Sequence, residues 1–105
     1  MERMKPFLSA LLILVSSASL WTQEPAALKS AFEAANSAYS EARYEEAQAG
    51  YESIVEGHLH FESEFNLGNA FFKQGNLGHS ILHYERAKRI NPSNSDLESN
   101  LILAN

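Results

Sequence analysis

Phe65-Asn66-Leu67-Gly68-Asn69-Ala70-Phe71-Phe72-Lys73-Gln74-Gly75-Asn76-Leu77 decides how this chain is read. It predicts a helix from about His60 to Gln74, closed by Gly75-Asn76. Glycine supplies the left-handed residue on which helices commonly end, without a steric penalty. Counting back 33 positions returns a chemically matched stretch: Phe65 meets Phe32, Asn69 meets Asn36 and Phe72 meets Tyr39. The match continues downstream, with Ser80 on Ala47, Tyr84 on Tyr51 and Ala87 on Ile54. Six matched positions at one ungapped offset are hard to obtain by chance. Self-similarity at this period marks a stack of supersecondary units.

The flanking segments complete the unit. Pro25 suits the first position of a helix running to about Ser40. Leu28, Phe32, Ala35 and Tyr39 recur there at spacings of four, three and four, one helical face. A second helix, about Tyr44 to Glu56, places Ala47, Tyr51 and Ile54 together, and Gly57 is its expected left-handed stop. A fourth, about Leu77 to Ile90, ends at Asn91-Pro92, since proline cannot continue a helix. A fifth begins near Ser95, with Ser95 and Glu98 expected to form a capping box. No segment alternates as a strand does. The expectation is an all-α domain over 25–105, with repeats at about 28–60 and 61–94 and a capping helix at 95–105.

Residues 65–77 resemble the first-helix consensus of the tetratricopeptide repeat (TPR) family. Ser80, Tyr84, Ala87 and Pro92 fall where that family places a small residue, an aromatic, an alanine and the ending proline. In the first repeat Ala34-Ala35 stands in for Leu67-Gly68, and Gly57 replaces the proline. The resemblance covers about residues 28–105. A narrower one covers residues 65–105, with 77–87, Asn91-Pro92 and the ending 101–105. These are similar to the exported TPR proteins of the bacterial aerotolerance (Bat) operon, a likeness that implies a signal, a periplasmic TPR region and membrane spans further on.

Gly68 and Ala35 lack bulk, so a partner helix can approach them closely, and Tyr51 and Tyr84 are expected to fill the gap between repeats. The family resemblance implies a concave face lined by the first helix of each pair. Here that face carries Lys29, Phe32, Asn36, Tyr39 and Ser40, then Glu62, Phe65, Asn69, Phe72 and Lys73. The expected partner is a protein or extended peptide. Asn36 and Asn69 can each donate and accept, either to a peptide backbone or to neighbours within the solenoid. Asn69→Ala is expected to weaken binding and leave stability nearly unchanged. Phe32 and Phe65 stand where the family's carboxylate clamp has lysine, so a partly apolar peptide is expected.

No Ser-His-Asp pattern, glycine-rich phosphate loop or cysteine nucleophile appears, so no enzyme and no cofactor are expected. His79 and His83 have zinc-chelating spacing, but the HExxH motif is absent. With His58 and His60 they are expected to be solvated, as are the acidic pairs Glu45-Glu46 and Glu62-Glu64. Beyond Ser19 the chain has twice as many acidic as basic residues, which disfavours nucleic acid and anionic lipid. Arg86, Lys88 and Arg89 form one basic cluster, suited to a helix C-terminus.

The N-terminus reads separately. Arg3 and Lys5 precede an apolar run from Phe7 to Val15, and Ser16-Ser17-Ala18-Ser19 follows. That order predicts a signal peptide over 1–21 with the mature N-terminus between Ser19 and Gln23; an uncleaved anchor is the alternative. An exported protein is therefore expected, periplasmic or membrane-associated in the cell envelope. The competing function is a self-assembling segment of a longer membrane-anchored protein. In the last helix Leu97, Leu101 and Ala104 should cover the second repeat, whereas Ile102 and Leu103 point elsewhere. Two repeats and a partial cap predict a chain marginal alone, continued beyond Asn105 or covered by a partner.

Overall fold

The computed structural model describes residues 25–105, all-α, with no strand among them. The segment expected to be a signal peptide, 1–21, lies outside the described residues. Helix α1 covers 25–40. It is followed by α2 (Tyr44–Val55), α3 (Phe61–Lys73), α4 (Leu77–Ile90) and α5 (Ser95–Ala104). None of the described helices is long and apolar enough to cross a membrane.

Packing follows the apolar faces. Ala47, Tyr51 and Ile54 are the buried residues of α2, at helical spacing. Tyr51 joins Ala35 and Ala38 of α1 and Leu67 and Phe71 of α3 in one cluster. A second cluster unites Tyr84 and Ala87 of α4 with Leu97, Leu101 and Ala104 of α5. Each tyrosine is 1% exposed and fills the seam between one repeat and the next helix. Burying side chains of this size stabilises by roughly 1.5–3 kcal/mol each. Helix α3 packs on both α2 and α4, and α4 also packs on α5. Ile102 and Leu103 do face away from the core, each 72% exposed.

Both repeats turn in the same way. At the end of α3, Gly75 (φ 78°) is left-handed. Its N–H bonds Phe72 O at 3.0 Å, and the Asn76 N–H bonds Phe71 O at 2.9 Å. That pair of bonds satisfies carbonyls the helix leaves orphaned. At the end of α1, Ala42 occupies the same conformation (φ 63°). Ala42 N–H bonds Tyr39 O at 3.0 Å and Arg43 N–H bonds Ala38 O at 2.8 Å.

Two expected helix ends differ. Gly57 is not left-handed, because Ala42 and Gly75 are the described residues with positive φ. Instead Glu56 stays helical at φ −61°, ψ −34°. The N–H groups of Gly57 and His58 then share Ile54 O at 3.2 and 3.1 Å, so the last turn tightens. The fifth helix is capped by Asn94, not Ser95: Asn94 Oδ1 accepts from Leu97 N–H at 3.0 Å. Asparagine is as good an N-cap as serine, and taking that role one residue earlier puts Ser95 inside the helix. No Ser95–Glu98 box then forms, although Asp96 and Glu98 remain in the first turn, where acids suit the helix dipole.

Candidate functional site

The same three-residue bridge appears twice. Tyr51 on α2 donates its hydroxyl to Asn36 Oδ1 of α1 at 2.5 Å, and Asn66 Nδ2 of α3 donates to that oxygen at 3.3 Å. One repeat on, Tyr84 of α4 donates to Asn69 Oδ1 of α3 at 2.5 Å, and Asn100 Nδ2 of α5 reaches the same oxygen at 3.1 Å. Each bridge ties three successive helices together. The asparagine carbonyl is therefore occupied by two donors, which leaves its N–H groups as what it can offer a ligand. Asn69 does not stand free in solvent, so Asn69→Ala would cost stability as well as any ligand bond.

Around the second bridge lies a groove of about 260 Å³, lined by Tyr39, Asn69, Phe72, Lys73, Tyr84, Asn100 and Leu103. Successive first helices α1, α3 and α5 supply all of these except Tyr84. Four residues expected at the site meet here: Tyr39, Asn69, Phe72 and Lys73. Lys73 forms no ion pair among the described residues. Burial pushes the phenols of Tyr39 and Tyr84 above their ordinary pKa, and Tyr44 beside Tyr39 adds to its shift. Both are neutral hydroxyls at physiological pH.

The other expected residues lie elsewhere. Phe32 packs against Tyr51 and His60, at centroid distances of 6.1 and 5.0 Å. Phe65 packs against Phe61 and Tyr84. Both fill seams and do not line the groove. Asn36 holds the first bridge, Lys29 lies exposed 3.9 Å from Glu33, and Ser40 bonds Ser37 O. Glu62 is exposed, 3.7 Å from His60 Nε2. Sequence reasoning missed Tyr84, Asn100 and Leu103 as groove residues. Asn100 escaped because it stands 34 positions past Asn66, so the 33-residue offset carried forward lands on Ser99 instead; Leu103 showed only as an apolar residue off the core face.

Of the histidines and acids expected to be solvated, His58, His79, Glu45, Glu46 and Glu62 are exposed, whereas His83 and Glu64 are buried. His83 is buried, with Nδ1 2.8 Å from Glu64 Oε2, itself buried, and its ring stacks on Phe71. His79 stacks on the same ring and its Nδ1 lies 3.1 Å from Asn76 Oδ1. The helical spacing that suggested chelation instead lays both imidazoles against Phe71, and His83 and Glu64 satisfy each other, as buried polar groups must. His60 caps α3, accepting from Ser63 N–H at 3.2 Å. Among the described residues no three His, Cys, Asp or Glu converge as metal ligands.

Comparison with known families finds that the Tetratricopeptide repeat model matches residues 61–94, about a third of the chain. Those residues, α3 and α4, are a TPR repeat. No curated protein matches the chain.

Proposed function

We propose that this chain is an exported, non-catalytic TPR scaffold that holds an extended segment of a partner protein in its concave groove, within the bacterial cell envelope. One observation carries the reading: successive first helices bring Tyr39, Phe72 and Leu103, the Asn69 amide and the Lys73 ammonium onto a single groove. Apolar walls beside one unpaired cation suit an aliphatic or aromatic side chain with an acidic neighbour. The TPR match at 61–94 supports an interaction role, since such repeats generally mediate contacts between proteins. The basic, apolar, then small order before residue 20 supports export. The narrower likeness of residues 65–105 favours a periplasmic setting and rests on those residues alone.

The test separates binding from folding. Asn69→Asp keeps the oxygen that accepts from Tyr84 and Asn100 but removes the N–H donors and cancels the groove's positive charge. A photo-crosslinking residue at Phe72 is expected to yield one adduct of discrete mass in envelope fractions; the same residue at Leu77, outside the groove, is expected to yield none. Asn69→Asp should abolish the adduct with the melting temperature unchanged. An adduct indifferent to both Asn69→Asp and Lys73→Glu would overturn the groove reading. Intact mass of the exported protein checks cleavage between Ser19 and Gln23, and a membrane-fraction mass retaining Met1 would favour the anchor.

A further inference from the structure

Away from the groove, Val55, Leu59, Glu64, Arg86, Arg89 and Ile90 line a hollow of about 530 Å³ where α2 ends and α4 finishes. Leu59 stands in the connection before α3, 92% exposed, and Ile90 is also exposed. Arg86 and Arg89 make no ion pair and no side-chain hydrogen bond among the described residues. The acid that lines the hollow with them, Glu64, is held by His83. In a chain of formal charge −5, an apolar hollow rimmed by two unpaired guanidiniums is an exception.

The opposite chemistry lies on α5. Leu97, Leu101 and Ala104 face inward. Outside that core face, exposed Glu98 stands one turn from Ile102 on one flank, and exposed Asp96 stands two turns from Leu103 on the flank that borders the groove. Leu59, Ile102 and Leu103 are the most exposed large apolar side chains of the described residues. They are divided between these two patches, one basic and one acidic. Opposite charges around exposed apolar side chains steer and register an association.

We infer that the hollow beside Arg86 and Arg89 receives the outer face of α5 from a second copy of this chain. The two surfaces share no residue, so the contact is heterologous, and a pair of copies leaves one hollow and one α5 face free. Such contacts propagate into rings or open rows. The inference goes beyond the groove reading and does not rest on it.

Sedimentation velocity of the full chain, from micromolar to near-millimolar concentration, tests it. The weight-average sedimentation coefficient should rise with concentration and rise less at high salt. Arg86→Glu with Arg89→Glu, or Asp96→Lys with Glu98→Lys, should each weaken self-association at least about tenfold, with unchanged circular dichroism. Mixing the two variants should restore association, because the reversed charges again face one another. Lys29→Glu, exposed on α1 and part of neither surface, should have no effect. A chain monomeric throughout, association indifferent to both reversals, failure of the mixture to recover, or loss of association in Lys29→Glu would each overturn the inference.

Discussion

In the second repeat Gly68 lies under the ring of Tyr84, so close that a Cβ there would sit 2.4 Å from it. In the first repeat the matching position is Ala35, and the glycine has crossed to the facing helix: a Cβ on Gly50 would sit 2.9 Å from that of Ala35. The residue matching Gly50 in the second repeat is His83, which reaches Glu64; the first repeat has Gly50 and Ala31 at those places. Ser80 hydrogen-bonds Gly68 O at 2.8 Å, where the first repeat has Ala47. One frame thus tolerates two fillings. Beside its tyrosine the first repeat sets small residues against each other, whereas the second sets a large ring over a glycine and adds a buried His–Glu pair and a hydroxyl.

The largest effect should come from Gly68→Leu. It forces a side chain into the Tyr84 ring, and stability should fall by about 3 kcal/mol, the upper end for overpacking. Ala35→Leu, at the matched position, has the same character, so unequal urea midpoints for the pair would measure how differently the two seams yield. Next is Glu64→Ala, which orphans the His83 ring nitrogen and should cost about 2 kcal/mol. Adding His83→Gly recreates the chemistry of the first repeat and should recover part of that loss. If the double variant is as unstable as the sum of the single ones, the two fillings are not interchangeable.

Tyr51→Phe and Tyr84→Phe each remove one hydroxyl from a bridge and should cost about 1 kcal/mol apiece. A similar loss at both would show that the bridges are equivalent although the seams beneath them differ. These phenols also set an alkaline limit. Burial holds the pKa of Tyr51 and Tyr84 above the ordinary value of 10.0, so above that pH the unfolded chain releases protons that the folded chain retains. Their contribution is complete below pH 10.0 and declines as pH rises past it. Thermal melts from neutral to alkaline pH should show this decline, and either phenylalanine variant should show less of it.

The smallest effect is at the turns. Ala42→Gly relieves a left-handed alanine and should add roughly 0.5–1 kcal/mol, and Gly75→Ala should cost about 1 kcal/mol. Equal and opposite midpoint shifts would show that the turns differ only in this residue.

The period itself carried most of the fold, since Phe32, Asn36 and Tyr51 repeat as Phe65, Asn69 and Tyr84. Helix faces were legible because apolar spacing alone decides them: Ala47, Tyr51 and Ile54 are buried together. What escaped were choices between equally suitable neighbours. Asn94 and Ser95 can both cap a helix, and only the path of the chain selects between them. Partnerships across helices escaped as well. Glu64 and His83 are 19 positions apart, so no local pattern joins them. At the site, Tyr39, Asn69, Phe72 and Lys73 were readable as residues of first helices. The departure of Phe32 and Phe65 from the groove was not, because an aromatic at that position can pack inward as readily as outward.

Helix α3 holds a place that no other described element holds. Its Leu67 and Phe71 belong to one cluster, while Phe61 and Phe65 pack against the other. In a linear array each unit is held by its neighbours, so opening either end leaves α3 still clamped on its remaining side. Local openings should therefore proceed from the ends toward the middle. In hydrogen exchange, the amides from Leu67 to Phe71 should be the last to take up deuterium, after those of α5, and α3 should set the free energy of the global event.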